Sequence, residues 1–111
     1  MEKLADNRLI DLILMDIEMP KLNGIETTAL VKQKYPQIKI IVLTVFDDDE
    51  NIFNAIQAGA DGYLLKDTEP KELYNAILQT REGGAVMTPS IALKTLNLLR
   101  SPLEEKIENE V

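Results

Sequence analysis

The sequence predicts an α/β domain in which helices flank a parallel sheet. Three observations predict it: short apolar runs that recur along the chain, apolar residues at helical spacing between them, and turn-forming residues at each changeover. The chain has 111 residues, the size of one small domain, and its 45% apolar content is ordinary for a globular protein.

The runs Asp11 to Asp16 and Ile38 to Thr44 are nearly continuous in apolar residues rather than alternating, as suits parallel strands covered on both faces. With Gly62 to Leu65 they place strands at about 11–16, 39–44 and 62–65. Asn23-Gly24-Ile25-Glu26 has the form of a capping box, and Leu22, Ile25 and Ala29 follow at helical spacing. Pro36 stops that helix after Tyr35. A second helix spans about Asp49 to Ala58, with Ile52, Phe53 and Ile56 as its apolar stripe and Gly59 as its end.

Pro70 opens a third helix, being a good first-turn residue. That helix buries Leu73, Ala76 and Ile77 and stops at Gly83-Gly84. A fourth begins near Pro89 and carries Ile91, Ala92, Leu96 and Leu99, and the acidic end, Leu103 to Val111, is expected to fray. Residues 1–9 read as the tail of a helix. Strands alternating with helices imply right-handed crossovers. Residues 1–84 form the α/β unit on this reading, and 85–111 a linker helix and acidic tail.

Composition excludes several functions. There is no cysteine and no histidine, so disulfides, thiolate metal sites and imidazole catalysis are all ruled out. The net charge is −7, and the lysines and arginines are scattered, which argues against nucleic-acid binding by this chain. No apolar run reaches the roughly 18 residues that a membrane span needs, and the N-terminus has no signal-peptide core. A reducing cytoplasm is the expected setting.

In open parallel sheets, ligands bind outside the carboxyl ends of the strands. The first strand ends on Asp16, the second on Thr44, and the third is followed by Lys66. These are a carboxylate nucleophile, a hydroxyl donor and a cation at one edge. The set suits phosphoryl transfer, which asks for positioning and charge neutralisation, with Mg²⁺ as the usual helper. Plainer readings exist for each: a strand-end carboxylate, a helix cap and a surface lysine. The acids Asp47, Asp48, Asp49 and Glu50 read as partners of a helix dipole rather than as metal ligands.

Asp16-Ile17-Glu18-Met19-Pro20, followed by Asn23-Gly24, resembles the phosphoacceptor region of response-regulator receiver domains. Ile41-Val42-Leu43-Thr44 resembles their fourth strand, and Gly59 to Lys66 their fifth. The segment Gly62 to Asp67, the Gly83-Gly84 pair and the Pro89–Leu99 helix are most similar to the NarL/FixJ subfamily. The resemblance covers about residues 9–84 and implies the flavodoxin-like fold with sheet order 2-1-3-4-5.

It also implies roles. Asp16 would be phosphorylated by a histidine kinase, with Thr44 and Lys66 on the phosphoryl group. Glu18 would offer its backbone carbonyl to Mg²⁺ beside Asp16, and Tyr63 would be the aromatic whose rotamer reports the state. The chain would be a regulatory phosphoacceptor rather than an enzyme, from a transcriptional regulator whose DNA-binding domain is not in this sequence. A phosphatase working through an aspartyl phosphate is disfavoured, because Asp16-Ile17-Glu18 lacks a second aspartate.

Family members begin with a strand and helix that supply an acidic pair for Mg²⁺, and then a second strand. Nothing before Asp11 corresponds to these elements, so the expected metal site is incomplete without that pair. Lys66 is followed by Asp67, where many relatives have proline. On this reading the first two strands and first helix are missing, and Leu12 to Met15 form an exposed edge. Either a second copy pairs with that edge to make a homodimer, or the Pro89–Leu99 helix folds over the uncovered face. A receiver remnant that works only as an interaction module is the alternative function.

Overall fold

The computed structural model of the chain describes residues 11–18 and 23–110. The expected helix tail within residues 1–9, and the positions Met19, Pro20 and Leu22, lie outside these. The described elements are β1 (Leu12–Met15), α1 (Gly24–Lys34), β2 (Lys39–Thr44), α2 (Asp49–Ala58), β3 (Gly62–Leu65), α3 (Pro70–Arg81), β4 (Val86–Met87) and α4 (Pro89–Glu110).

The strands form one sheet in the order β1-β2-β3-β4, and every pairing is parallel. Met15 stands opposite Val42, and Thr44 opposite Leu65. The three expected strands are therefore present. β4 was not foreseen: two residues between a glycine pair and a proline carry no periodicity. It pairs Val86 with Gly62 and Met87 with Tyr63. A side chain at Gly62 would press on the Val86 carbonyl at 2.9 Å, so glycine lets β4 lie close against β3.

β2 is an inner strand, with Ile40, Ile41 and Val42 all buried. Alternate residues serve opposite faces. On one face, Met15, Ile38 and Ile40 pack with Val31 of α1. Val42 and Tyr63 pack there with Ile52 and Ala55 of α2 and Ile91 of α4. On the other face, Ile41 and Leu64 meet Ala76 of α3, with Leu73 and Ile77 beside it. Phe53, expected in the buried stripe of α2, is exposed, and Ala55 takes the inward position.

α4 lies on the α2 side of the sheet rather than over the α3 side. Thr88 ends the β4 pairing, and the helix begins at once at Pro89, so Ile91 drops onto Tyr63 and Ile52. The helix runs to Glu110, through a stretch rich in glutamate and lysine, which favour helix.

Local signals set the helix ends. Asn23 caps α1 by accepting from the Ile25 amide at 2.8 Å, and Asp48 caps α2 by accepting from Asn51 N at 3.1 Å. Gly59 ends α2 at φ 105°, a left-handed conformation that any side chain would strain. Just beyond it, Asp61 ties α1 to the sheet. Its Oδ2 accepts from Lys32 Nζ and from the Ile40 amide, both at 2.9 Å, and the two side chains are only 18% and 21% exposed. Replacing Asp61 with alanine leaves a partly buried ammonium and a strand amide short of a partner. Asp61→Ala is expected to lower the urea unfolding free energy by about 2 kcal/mol, with an unchanged m-value.

Candidate functional site

The carboxyl ends of β1, β2 and β3 define the site. Thr44 is the last residue of β2; Asp16 follows β1 on one side of it and Lys66 follows β3 on the other. Neighbouring strands lie about 4.8 Å apart, so Asp16 and Lys66 start roughly 10 Å from each other. The four-carbon stem of the lysine bridges that gap across the end of β2. Lys66 Nζ meets Asp16 Oδ2 at 2.6 Å, while the Lys66 amide donates to the Thr44 carbonyl at 2.8 Å.

The second carboxylate oxygen of Asp16 accepts from the Glu18 amide at 2.9 Å. The Lys66 hydrogen bond, helped by that amide and by the ammonium charge, holds the Asp16 carboxyl below its usual pKa, against a smaller opposing effect of burial. Both side chains remain open to solvent, at 42% for Lys66 and 35% for Asp16. The carboxylate is thus ionised, accessible and held from two directions, as a nucleophile toward phosphorus requires.

The loop after Asp16 is closed from below. Gly24 N donates to the Ile17 carbonyl at 3.2 Å, and Glu18 and Asn23 form an isolated antiparallel bridge. A Cβ on Gly24 would overlap the Asp16 carbonyl oxygen and stand 2.8 Å from Ile17 Cα. Glycine at this position lets α1 start directly against the main chain of Asp16.

Thr44 and Tyr63 occupy a second layer. Thr44 is fully buried, and its Oγ1 accepts from the Phe46 amide at 3.2 Å. Tyr63 is also fully buried, and its hydroxyl donates to the Phe46 carbonyl at 2.8 Å. Burial, with the charges of Asp48 and Asp47, pushes the tyrosine pKa up to about 12, so the hydroxyl stays a donor. Tyr63 therefore sits beneath the loop that follows Thr44 and does not touch the Asp16–Lys66 pair. Phe46, a residue the sequence did not single out, joins it to Thr44.

Mg²⁺ prefers oxygen ligands and is commonly held through one or two carboxylates, waters and a phosphoryl group. Asp16 is a carboxylate of this kind. Among the described residues, no three metal-ligating side chains come together. The described donors fit part of a Mg²⁺ shell and not a closed site. The acids Asp47 to Glu50 match the helix-start reading: Asp48 is the cap of α2, and its bond from the Asn51 side chain lowers its pKa.

Residues 1–78 match the family model of the response regulator receiver domain. The response regulator protein VraR of Staphylococcus aureus (strain Mu3 / ATCC 700698) is 38% identical over 94 residues, which is 85% of this chain and 45% of VraR. The chain thus spans less than half the length of the curated relatives it matches. A LuxR-family two-component response regulator from Aurantimonas sp. SI85-9A1 superposes with a TM-score of 0.71 at 32% identity, over 78% of this chain and 62% of that one. The isolated REC domain of RcsB from Salmonella enterica serovar Typhimurium, with phosphomimetic BeF3-, gives 0.73 at 22% identity over 84% and 69% of the two chains. This last likeness is one of fold.

Lys66→Met is expected to raise the Asp16 pKa, read by NMR titration of its carboxyl carbon. In the parent chain the folded-state value lies below the unfolded one. The pair therefore stabilises the fold above the unfolded pKa, and that stability is lost as pH falls through the folded pKa. The acid limb of a pH–stability curve should accordingly flatten in the variant. Gly24→Ala is expected to displace the Asp16 main chain, giving large amide shifts at Asp16 and Glu18 while β3 and α3 keep theirs.

Proposed function

The chain belongs to the response regulator receiver family, and on that premise we propose that it is a phosphoryl-accepting switch of a two-component system, phosphorylated on Asp16 by a histidine kinase. One observation supports this above the others: the 2.6 Å contact of Lys66 Nζ with Asp16 Oδ2 across the end of the strand that closes on Thr44. Members of this family are regulatory phosphoacceptors, and no catalytic turnover of a substrate is assigned to the chain.

An Asp16 oxygen forms the new bond to phosphorus, the bond from phosphorus to the donor atom breaks, and the donor keeps that electron pair. The product is an acyl phosphate. Lys66 then neutralises a phosphoryl oxygen in place of the carboxylate oxygen it now holds, and the Thr44 hydroxyl donates to another. Mg²⁺, where bound, offsets charge on the transferred group; Asp16 and the Glu18 backbone carbonyl would hold it. Tyr63 acts through Phe46 on the Thr44 loop rather than on the phosphoryl group.

The matched relatives are response regulators, one of them of the LuxR family, and we assign the chain to a transcriptional regulator of the cytoplasm. A net charge of −7 supports a reading in which this chain does not itself contact DNA. Among the described residues, no helix is long and apolar enough to cross a membrane.

A second reading is favoured by one feature. β1 lies at an edge of the described sheet, and Leu14 on it is 42% exposed. Such a strand can pair with another copy, which would make the chain a dimerising interaction module.

Acetyl phosphate with Mg²⁺ should add one phosphoryl mass to the chain, and Asp16→Asn should abolish the addition. An unmodified wild-type mass under conditions that label a known receiver would overturn the switch. Sedimentation that stays monomeric at high concentration would remove the dimer.

A further inference from the structure

The segment after residue 78 lies beyond the receiver match, yet it contacts both arms of the site. One contact is made by Thr88, between β4 and α4. Its amide donates to the Tyr63 carbonyl at 3.1 Å, and its Oγ1 accepts from the Leu65 amide at 3.1 Å. Leu65 is the residue before Lys66, so Thr88 extends the β4 ladder by one hydroxyl and fixes the backbone from which the lysine departs.

The other contact is made by Lys94, one turn into α4. Its Nζ donates to the Asp47 carbonyl at 2.6 Å, with the Asp47 carboxylate 3.8 Å away. Asp47 follows Phe46, whose amide donates to Thr44 Oγ1 and whose carbonyl accepts from Tyr63. Between the two polar contacts, Ile91 is buried in the cluster that holds Tyr63 and Ile52, with Phe46 packed against it. The start of α4 is therefore clamped to the Lys66 arm by Thr88 and to the Thr44 loop by Lys94.

We propose that Thr88 and Lys94 are positioning residues for the phosphoacceptor site, acting through Lys66 and Thr44, and that occupancy of the site in turn sets how α4 is held. The proposal rests on the phosphoryl-switch reading given above. The reciprocity is required by linkage: if a docked α4 favours the arrangement of Thr44 and Lys66 that binds a phosphoryl group, the bound group favours that docking by the same factor. Lys94 is the adjustable half, because a charged donor on a flexible stem follows a carbonyl that moves when Thr44 turns toward the phosphoryl group. Thr88 is the fixed half, because it completes a strand pairing.

The full chain with beryllofluoride and Mg²⁺ tests this, read by amide NMR. Without beryllofluoride, Lys94→Met should shift the Phe46 and Asp47 amides and raise hydrogen exchange in the first two turns of α4. With it, Lys94→Met and Thr88→Val should each change the half-saturating beryllofluoride concentration by about fivefold, and Lys94→Arg and Thr88→Ser should restore it. A merely structural role would lower the melting temperature and leave that concentration unchanged, which would overturn the proposal. Unmoved Phe46 and Asp47 amides in Lys94→Met would overturn it as well. If wild type gives no response to beryllofluoride, the switch reading fails, and the comparison without beryllofluoride still decides whether Lys94 holds the loop.

Discussion

The organising constraint is the parallel register of β1, β2 and β3. Met15 lies opposite Val42 and Thr44 opposite Leu65, so the strands reach their carboxyl ends together. Asp16 and Lys66 are thereby set on either side of Thr44, close enough for the lysine to cross β2 and far enough that it must extend. A shift of one residue in β2 would turn Thr44 from the α2 face to the α3 face. The buried side chains of Ile40, Ile41 and Val42 hold the register, because a slip would move each of them to the wrong face.

The strength of the Asp16–Lys66 pair matters less than its openness. Exposed ion pairs contribute little to stability, with a median of about 0–1 kcal/mol. A pair so weakly held can be traded for a lysine–phosphoryl contact without threatening the fold. The stability lies elsewhere: in the two covered faces and in the Lys32–Asp61–Ile40 knot at the opposite end of the sheet. That separation would leave the carboxyl ends of the strands to the proposed phosphoryl chemistry while their amino ends carry architecture.

Much of this was legible in the sequence, for identifiable reasons. Continuous apolar runs gave β1, β2 and β3, and Asn23, Gly59, Pro70 and Pro89 marked helix ends because each has a backbone reason to stand there. Asp16, Thr44 and Lys66 could be grouped because strand ends in a parallel sheet converge. β4 could not be read, since its two residues gain their conformation only from pairing with β3. The inward turn of Tyr63 was equally hidden. It depends on the Phe46 carbonyl, seventeen positions away and supplied by a loop. Thr88 before Pro89 did carry a signal, that of a helix start, but its bond to Leu65 belongs to the folded sheet alone.

These hidden contacts share one property: they join the loop after β2 to elements that come later in the chain. Phe46 meets Tyr63, and Asp47 meets Lys94. The loop has few partners of its own. Val45 is exposed, and only the Asp48 cap fixes its far end. A loop with so little local support takes its conformation from what touches it. On one side that is Thr44, at the site; on the other it is Tyr63 and α4. A change in the hydrogen bonding of Thr44 must therefore be accommodated by one of those contacts. Tyr63 is enclosed and neutral, whereas Lys94 is only half-buried and carries its charge on a flexible stem, so the smaller energetic resistance lies on the side of the helix.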